Sequence, residues 1–196
     1  MAITLAPQDA STAARILDVA EQIVQARGFN GFSYANVAAE LGITKAALHY
    51  HFAGKADLGA ALISRYATRF ANSLASIDAA GGDAHTRLAG YADLYGQVLS
   101  NRKMCLCGML AAEYQTLPPP MQDAVISFFN ANEAWLQGVL ESGRDDGSLQ
   151  FSGSAADTAR MIIGSLEGAM LVARPYGDVG RFQAAAANLL AGLTPA

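Results

Sequence analysis

Punctuation constrains this chain most. Glycine and proline fall at Gly28, Gly42, Gly54, Gly81-Gly82, Pro118-Pro119-Pro120, Gly147 and Pro175, and the stretches between them repeat apolar residues every three or four positions. No stretch alternates apolar and polar residues as a half-buried strand does. The pattern predicts an all-α fold of about nine helices. Ser11 or Thr12 caps a first helix, with Ile16, Val19, Ala20, Ile23 and Val24 on one face and Gly28 as its stop. Ser33 caps a second over Tyr34–Leu41, ended by Gly42, and Thr44 caps a third over 45–52, broken at Gly54. Longer helices follow over 55–78 and 83–100. A sixth covers 105–115, a seventh runs from the proline triplet to about 144, and the last two span 155–173 and 179–193.

Composition narrows the function classes. Of 196 residues, 52% are hydrophobic, enough for a sizeable core. No apolar run approaches the ~20 residues that a membrane span needs. Residues 1–9 lack the basic start and apolar stretch of a secretory leader, so the expectation is a cytoplasmic chain without a membrane partner. Cys105 and Cys107 stand too close in sequence to bridge each other, and no His pair accompanies them. No metal or cofactor is expected. No Ser/His/Asp or Cys/His order and no glycine-rich phosphate loop suggests a catalyst, so no catalytic residue is expected either.

The informative segment surrounds Gly42. Two short helices meet there, with Ala38 small enough for close approach and Gly42 free to take the left-handed backbone of a tight turn. Val37, Leu41, Ile43 and Leu48 supply a small core, while Thr44, Lys45, Ala46, His49 and Tyr50 face outward on the third helix. Such a helix suits a DNA major groove. Charge argues for economy: residues 1–60 carry Arg15, Arg27, Lys45 and Lys55 against Asp9, Asp18, Glu21, Glu40 and Asp57. With no basic excess, affinity must rest on a few placed contacts and on two heads acting together.

The stretch from Ile16 to Leu58 resembles the DNA-binding domain of the tetracycline-repressor (TetR) family. It shows Gly28-Phe29 after the first helix, then a hydroxyl-capped short helix. The recognition helix reads Ile43-Thr44-Lys45-Ala46-Ala47-Leu48-His49-Tyr50-His51-Phe52-Ala53-Gly54-Lys55. The resemblance implies a head at residues 1–54 and an effector-binding, dimerising domain at 55–196. It implies phosphate contacts from Ser33, Thr44 and Lys55, a base or phosphate contact from Lys45, and a groove surface of Tyr34, Ala46, Ala47 and His49. Where the family has a phosphate-contacting Tyr this chain has His49, with Tyr50 beside it, so either ring can hold that role.

A two-fold operator on double-stranded DNA implies a homodimer. Gly164, Gly168 and Leu171 on the eighth helix, with Phe182, Leu189 and Leu190 on the ninth, are the interface candidates. A small-molecule effector of unknown identity would bind among the middle helices. Its candidate lining is Tyr66, Tyr91 and Tyr95, then Met104, Met109 and Met161, with Phe128 and Trp135. Glu113 and Glu167 interrupt apolar stretches and, if buried, need a partner: a ligand, or an arginine such as Arg87 or Arg160. The expected function is a transcriptional repressor released by its effector. The alternatives are a thiol sensor using Cys105 or Cys107, with Arg102 and Lys103 favouring the thiolate, and an all-α enzyme.

Overall fold

The structure, a computed structural model, describes residues 7–195, with side chains from residue 12 onward. The leader reading of residues 1–9 falls mostly outside the described residues. Within them the chain forms nine α-helices and no strand: α1 (Pro7–Arg27), α2 (Tyr34–Leu41), α3 (Lys45–His51), α4 (Lys55–Ala80), α5 (Ala84–Ser100), α6 (Leu106–Ala112), α7 (Pro119–Asp145), α8 (Ala155–Ala173) and α9 (Val179–Ala191). Among these residues no helix is long and apolar enough to cross a membrane.

Some boundaries differ from expectation. The first helix is already formed at Pro7, the first described residue, so neither Ser11 nor Thr12 starts it. The sixth stops at Ala112 and gives way to a 3₁₀ turn at Tyr114–Thr116, since Pro118 disfavours helix at the residue before it. The ninth ends at Ala191, freeing the Leu193 carbonyl to accept the Gln150 N–H at 2.7 Å.

The chain divides into two compact units. The first comprises residues 1–66 and 106–125, the second 67–105 and 126–196. In the first, α1 packs on α2 and α6, and α2 on α3. Ile16, Ala20 and Val24 of α1 are fully buried with Leu48, Leu58 and Leu62, while Val19 and Ile23 are half-buried. Arg65 of α4 reaches back to Asp18 at 2.7 Å and Glu21 at 2.8 Å, fastening α1 to α4. In the second unit α5, α8 and α9 pack on one another. Its core holds Leu88, Tyr91, Tyr95, Leu136, Val139, Leu140, Leu166 and Met170.

Candidate nucleic-acid interface and effector site

The head is built by its caps. Ser33 and Asn36 form a reciprocal capping box at α2: Ser33 Oγ accepts the Asn36 N–H at 3.4 Å, and Asn36 Oδ1 accepts the Ser33 N–H at 2.8 Å. The Ser33 hydroxyl proton also goes to Asn36 Oδ1, at 2.8 Å. Gly42 ends α2 at φ 66°, a left-handed backbone that a residue with a Cβ adopts only under strain. Thr44 then caps α3, its Oγ1 accepting the Ala47 N–H at 3.1 Å. The Ser33 hydroxyl proton is thus spent inside its own cap.

The start of α2, α3 and the start of α4 enclose a cleft of about 430 Å³ lined by Phe32, Ser33, Tyr34, Ala35, Lys45, His49 and Lys55. Five of the nine residues expected at the DNA surface therefore share one concavity. Thr44, Ala46 and Tyr50 lie exposed along α3, and Ala47 is half-buried. Tyr50 is 70% exposed and free to meet a phosphate. The Tyr34 hydroxyl is committed elsewhere: it donates to the Phe52 carbonyl at 2.9 Å, and burial, with Asp57 nearby, pushes its pKa up to about 12. Its ring lies 4.7 Å from that of His49, whose Nδ1 sits 3.0 Å from the Ala53 carbonyl. The Lys55 ammonium rests over the rings of Phe29 and Phe32, 4.5 and 4.6 Å from their centroids. Burial lowers its pKa, and the Glu113 carboxylate opposes that shift.

Sequence reading missed two members of this arrangement. Phe32 and Ala35 line the cleft, and only the helical register of α2 could have placed them there. Glu113, expected in the effector pocket, is held by backbone amides of the head. Its carboxylate accepts the backbone N–H of Phe29 at 2.6 Å and of Asn30 at 3.2 Å, so the orphan donors after α1 are its partners. Arg87 and Arg160, the arginines considered for the two glutamates, pair instead with Asp78, and with Glu133 and Asp157.

The effector candidates fall in both units. Tyr66, Met109 and Glu113 belong to the first unit, and Tyr91, Tyr95, Met104, Phe128, Trp135 and Glu167 to the second. Met161 is 47% exposed on α8, because its position faces away from the helices packed on that one. In the second unit a polar cluster sits in the core. The Tyr91 and Tyr95 hydroxyls lie 3.0 Å apart, and Tyr91 donates to Asn132 Oδ1 at 3.3 Å. The Cys105 thiol hydrogen-bonds the Glu167 carboxylate, while Glu167 Oε1 is buried with no partner. Burial raises the Glu167 pKa to about 7 despite that bond. Both tyrosines are also raised by burial. A separate groove of about 560 Å³ runs between α5 and α9, lined by Ala92, Gly96, Gln97, Phe182 and Ala186 among others. Of the expected residues only Phe182 and Leu190, proposed for the interface, lie along it.

Those two are corrections. Phe182 and Leu190 are buried within their own unit, because α9 turns that face onto α5 and α8. Gly164, Gly168 and Leu171 instead lie exposed along one face of α8, beside Met161 and Val172, and Leu189 is half-buried. A Cβ at Gly164 or Gly168 would meet nothing. Both cysteines are buried, and among the described residues no group of three His, Cys, Asp or Glu could hold a metal ion.

Comparison with known proteins covers most of the chain. The family model for bacterial regulatory proteins of the tetR family matches residues 16–62, and that for the tetracyclin repressor-like C-terminal domain matches residues 70–189. A TetR-family transcriptional regulator from Agrobacterium tumefaciens superposes with a TM-score of 0.92 at 31% identity, over 95% of this chain and 100% of that one. A TetR transcriptional regulator from Legionella pneumophila gives 0.86 at 32%, over 98% and 100%. The reduced form of NemR from E. coli gives 0.80 at 27%, over 94% and 99%. Comparison with curated proteins gives no match. Head, helical remainder and these likenesses converge: the chain belongs to the TetR family of bacterial transcriptional regulators.

Proposed function

We propose that the protein is a repressor that binds a two-fold operator as a homodimer and leaves it when a small molecule binds. The cleft that gathers Lys45, His49 and Lys55, with Thr44 exposed on the same short helix, carries this reading. Those groups supply cationic and hydrogen-bond donors on a short exposed helix and at the start of the next, which is what phosphate and groove contacts require. Residues 1–54 read DNA, and residues 55–196 bind effector and dimerise. The exposed stripe Met161, Gly164, Gly168, Leu171 and Val172 on α8 is the dimer face, since its two glycines admit a second helix closely. The effector's polar anchor is the Tyr91–Tyr95–Glu167 cluster, where one carboxylate oxygen awaits a hydrogen-bond donor. No catalytic step, metal or cofactor enters, and the protein acts in the cytoplasm.

A thiol sensor is the second reading, favoured by the Cys105–Glu167 contact and by the likeness to NemR, whose structure is of a reduced form. Reactive thiols usually sit in accessible, cationic surroundings, and here Cys105 is buried against a carboxylate, so ligand control is preferred. A mobility-shift assay on a duplex selected by the protein from a random pool tests the main reading. Lys45→Ala and Tyr50→Ala should each abolish the shift while leaving the dimer intact. If the wild type selects no duplex even at low salt, the repressor reading is wrong.

A further inference from the structure

The loop after α1 forms a small anion nest. Gly28 has φ 82°, and the next two backbone N–H groups, of Phe29 and Asn30, belong to neither α1 nor α2. Glu113 fills this nest. Its Oε2 lies 2.6 Å from the Phe29 nitrogen and 3.2 Å from that of Asn30. The Asn30 side chain donates to Thr116 Oγ1 at 2.7 Å, and that hydroxyl donates to the Glu113 carbonyl at 2.8 Å. The carboxylate lies so close to Gly28 that a Cβ there would collide with it.

The nest leads directly to the phosphate-facing cleft. Phe29, held by its N–H, packs edge-on against Phe32 with centroids 5.4 Å apart. The Lys55 ammonium sits over both rings and feels the Glu113 charge. Phe32 and Lys55 both line the cleft. We propose that Glu113 is a positioning residue for DNA binding: by occupying the nest it sets the turn between α1 and α2 and, through Phe29 and Phe32, the place of the Lys55 ammonium. This rests on the reading of the head as the DNA-binding surface.

Full-length wild type, Glu113→Gln and Glu113→Ala test the proposal, using a duplex that the wild type selects from a random pool. Glu113→Ala should weaken binding about tenfold, as expected when charge-assisted hydrogen bonds are lost, and Glu113→Gln should weaken it less. Amide hydrogen exchange at Phe29 and Asn30 should quicken in both. The Lys55 side-chain titration, followed by NMR, should move down in Glu113→Gln because the supporting charge is gone; a role confined to packing would leave Lys55 unmoved. If Glu113→Ala fails to fold, Glu113→Gln decides alone. A Gln variant with wild-type affinity, wild-type protection at both amides or an unmoved Lys55 overturns the proposal. A wild type that selects no duplex instead sinks the DNA-binding reading itself, and with it any role of Glu113 in binding.

Discussion

A carbonyl oxygen can only accept a hydrogen bond, so His49 Nδ1, 3.0 Å from the Ala53 carbonyl, must carry a proton. With Nδ1 spent on that carbonyl, Nε2 is the ring nitrogen left for a DNA phosphate. His49→Ala should weaken operator binding several-fold in a mobility-shift assay, and unchanged affinity would remove His49 from the contact surface. Glu167 sets a pH effect on stability. Its pKa rises from 4.5 to about 7 on folding, chiefly through burial, so between those values the folded chain holds a proton that the unfolded chain has released. Its contribution to stability is full below about pH 4.5 and falls as pH rises through 7, by roughly 3 kcal/mol in all. Glu167→Gln removes this loss. Denaturant midpoints should therefore show the variant gaining on the wild type as pH rises, and parallel curves would contradict the assignment.

Among the elements, two glycines end helices by the same backbone conformation but in different surroundings. Gly42 closes α2 with nothing within reach of a Cβ, so its residue type answers to φ alone. Gly28 closes α1 with the same sign of φ and also faces the Glu113 carboxylate. Gly42→Ala should cost about 1 kcal/mol, the strain of a left-handed residue. Gly28→Ala should cost about 3 kcal/mol, because it also displaces Glu113 and strands the two N–H groups that Glu113 satisfies. Chemical denaturation of the two variants checks the order. Sequence reading named both glycines as helix stops, since a stop is a local property. It could not see Glu113, whose partners lie more than eighty residues away in the chain.

For the whole molecule, the exposed face of α8 is the feature that an isolated chain leaves unexplained. Leu171 and Val172 are 61% and 63% exposed, beside two open glycines. A Leu171→Glu substitution touches no core contact, so the subunit should fold normally. Two such charges facing each other across a two-fold axis should weaken the dimer roughly a hundredfold. Sedimentation at micromolar concentration should find monomers, and operator binding should fall with the dimer. An unchanged dimer would place the interface elsewhere. Exposure separates the two helices that were expected to pair. The exposed glycines follow from spacing on one helix, whereas Phe182 and Leu190 needed knowledge of which face of α9 its own neighbours already cover.

What the sequence determined by itself was everything written in nearest-neighbour physics: nine helices, their glycine and proline stops, the hydroxyl caps of α2 and α3, and a head whose motif names its family. Tertiary structure alone decided where charge acts. Residues 1–60 show no basic excess, yet folding ties Asp18 and Glu21 to Arg65 and collects Lys45, His49 and Lys55 around one cleft. It likewise sent Glu113 to the amides after α1 and left one oxygen of Glu167 without a partner. The physical reason is range. Caps and turns are settled within a few residues, whereas the partner of a charge is set by packing, which joins positions that the sequence keeps far apart.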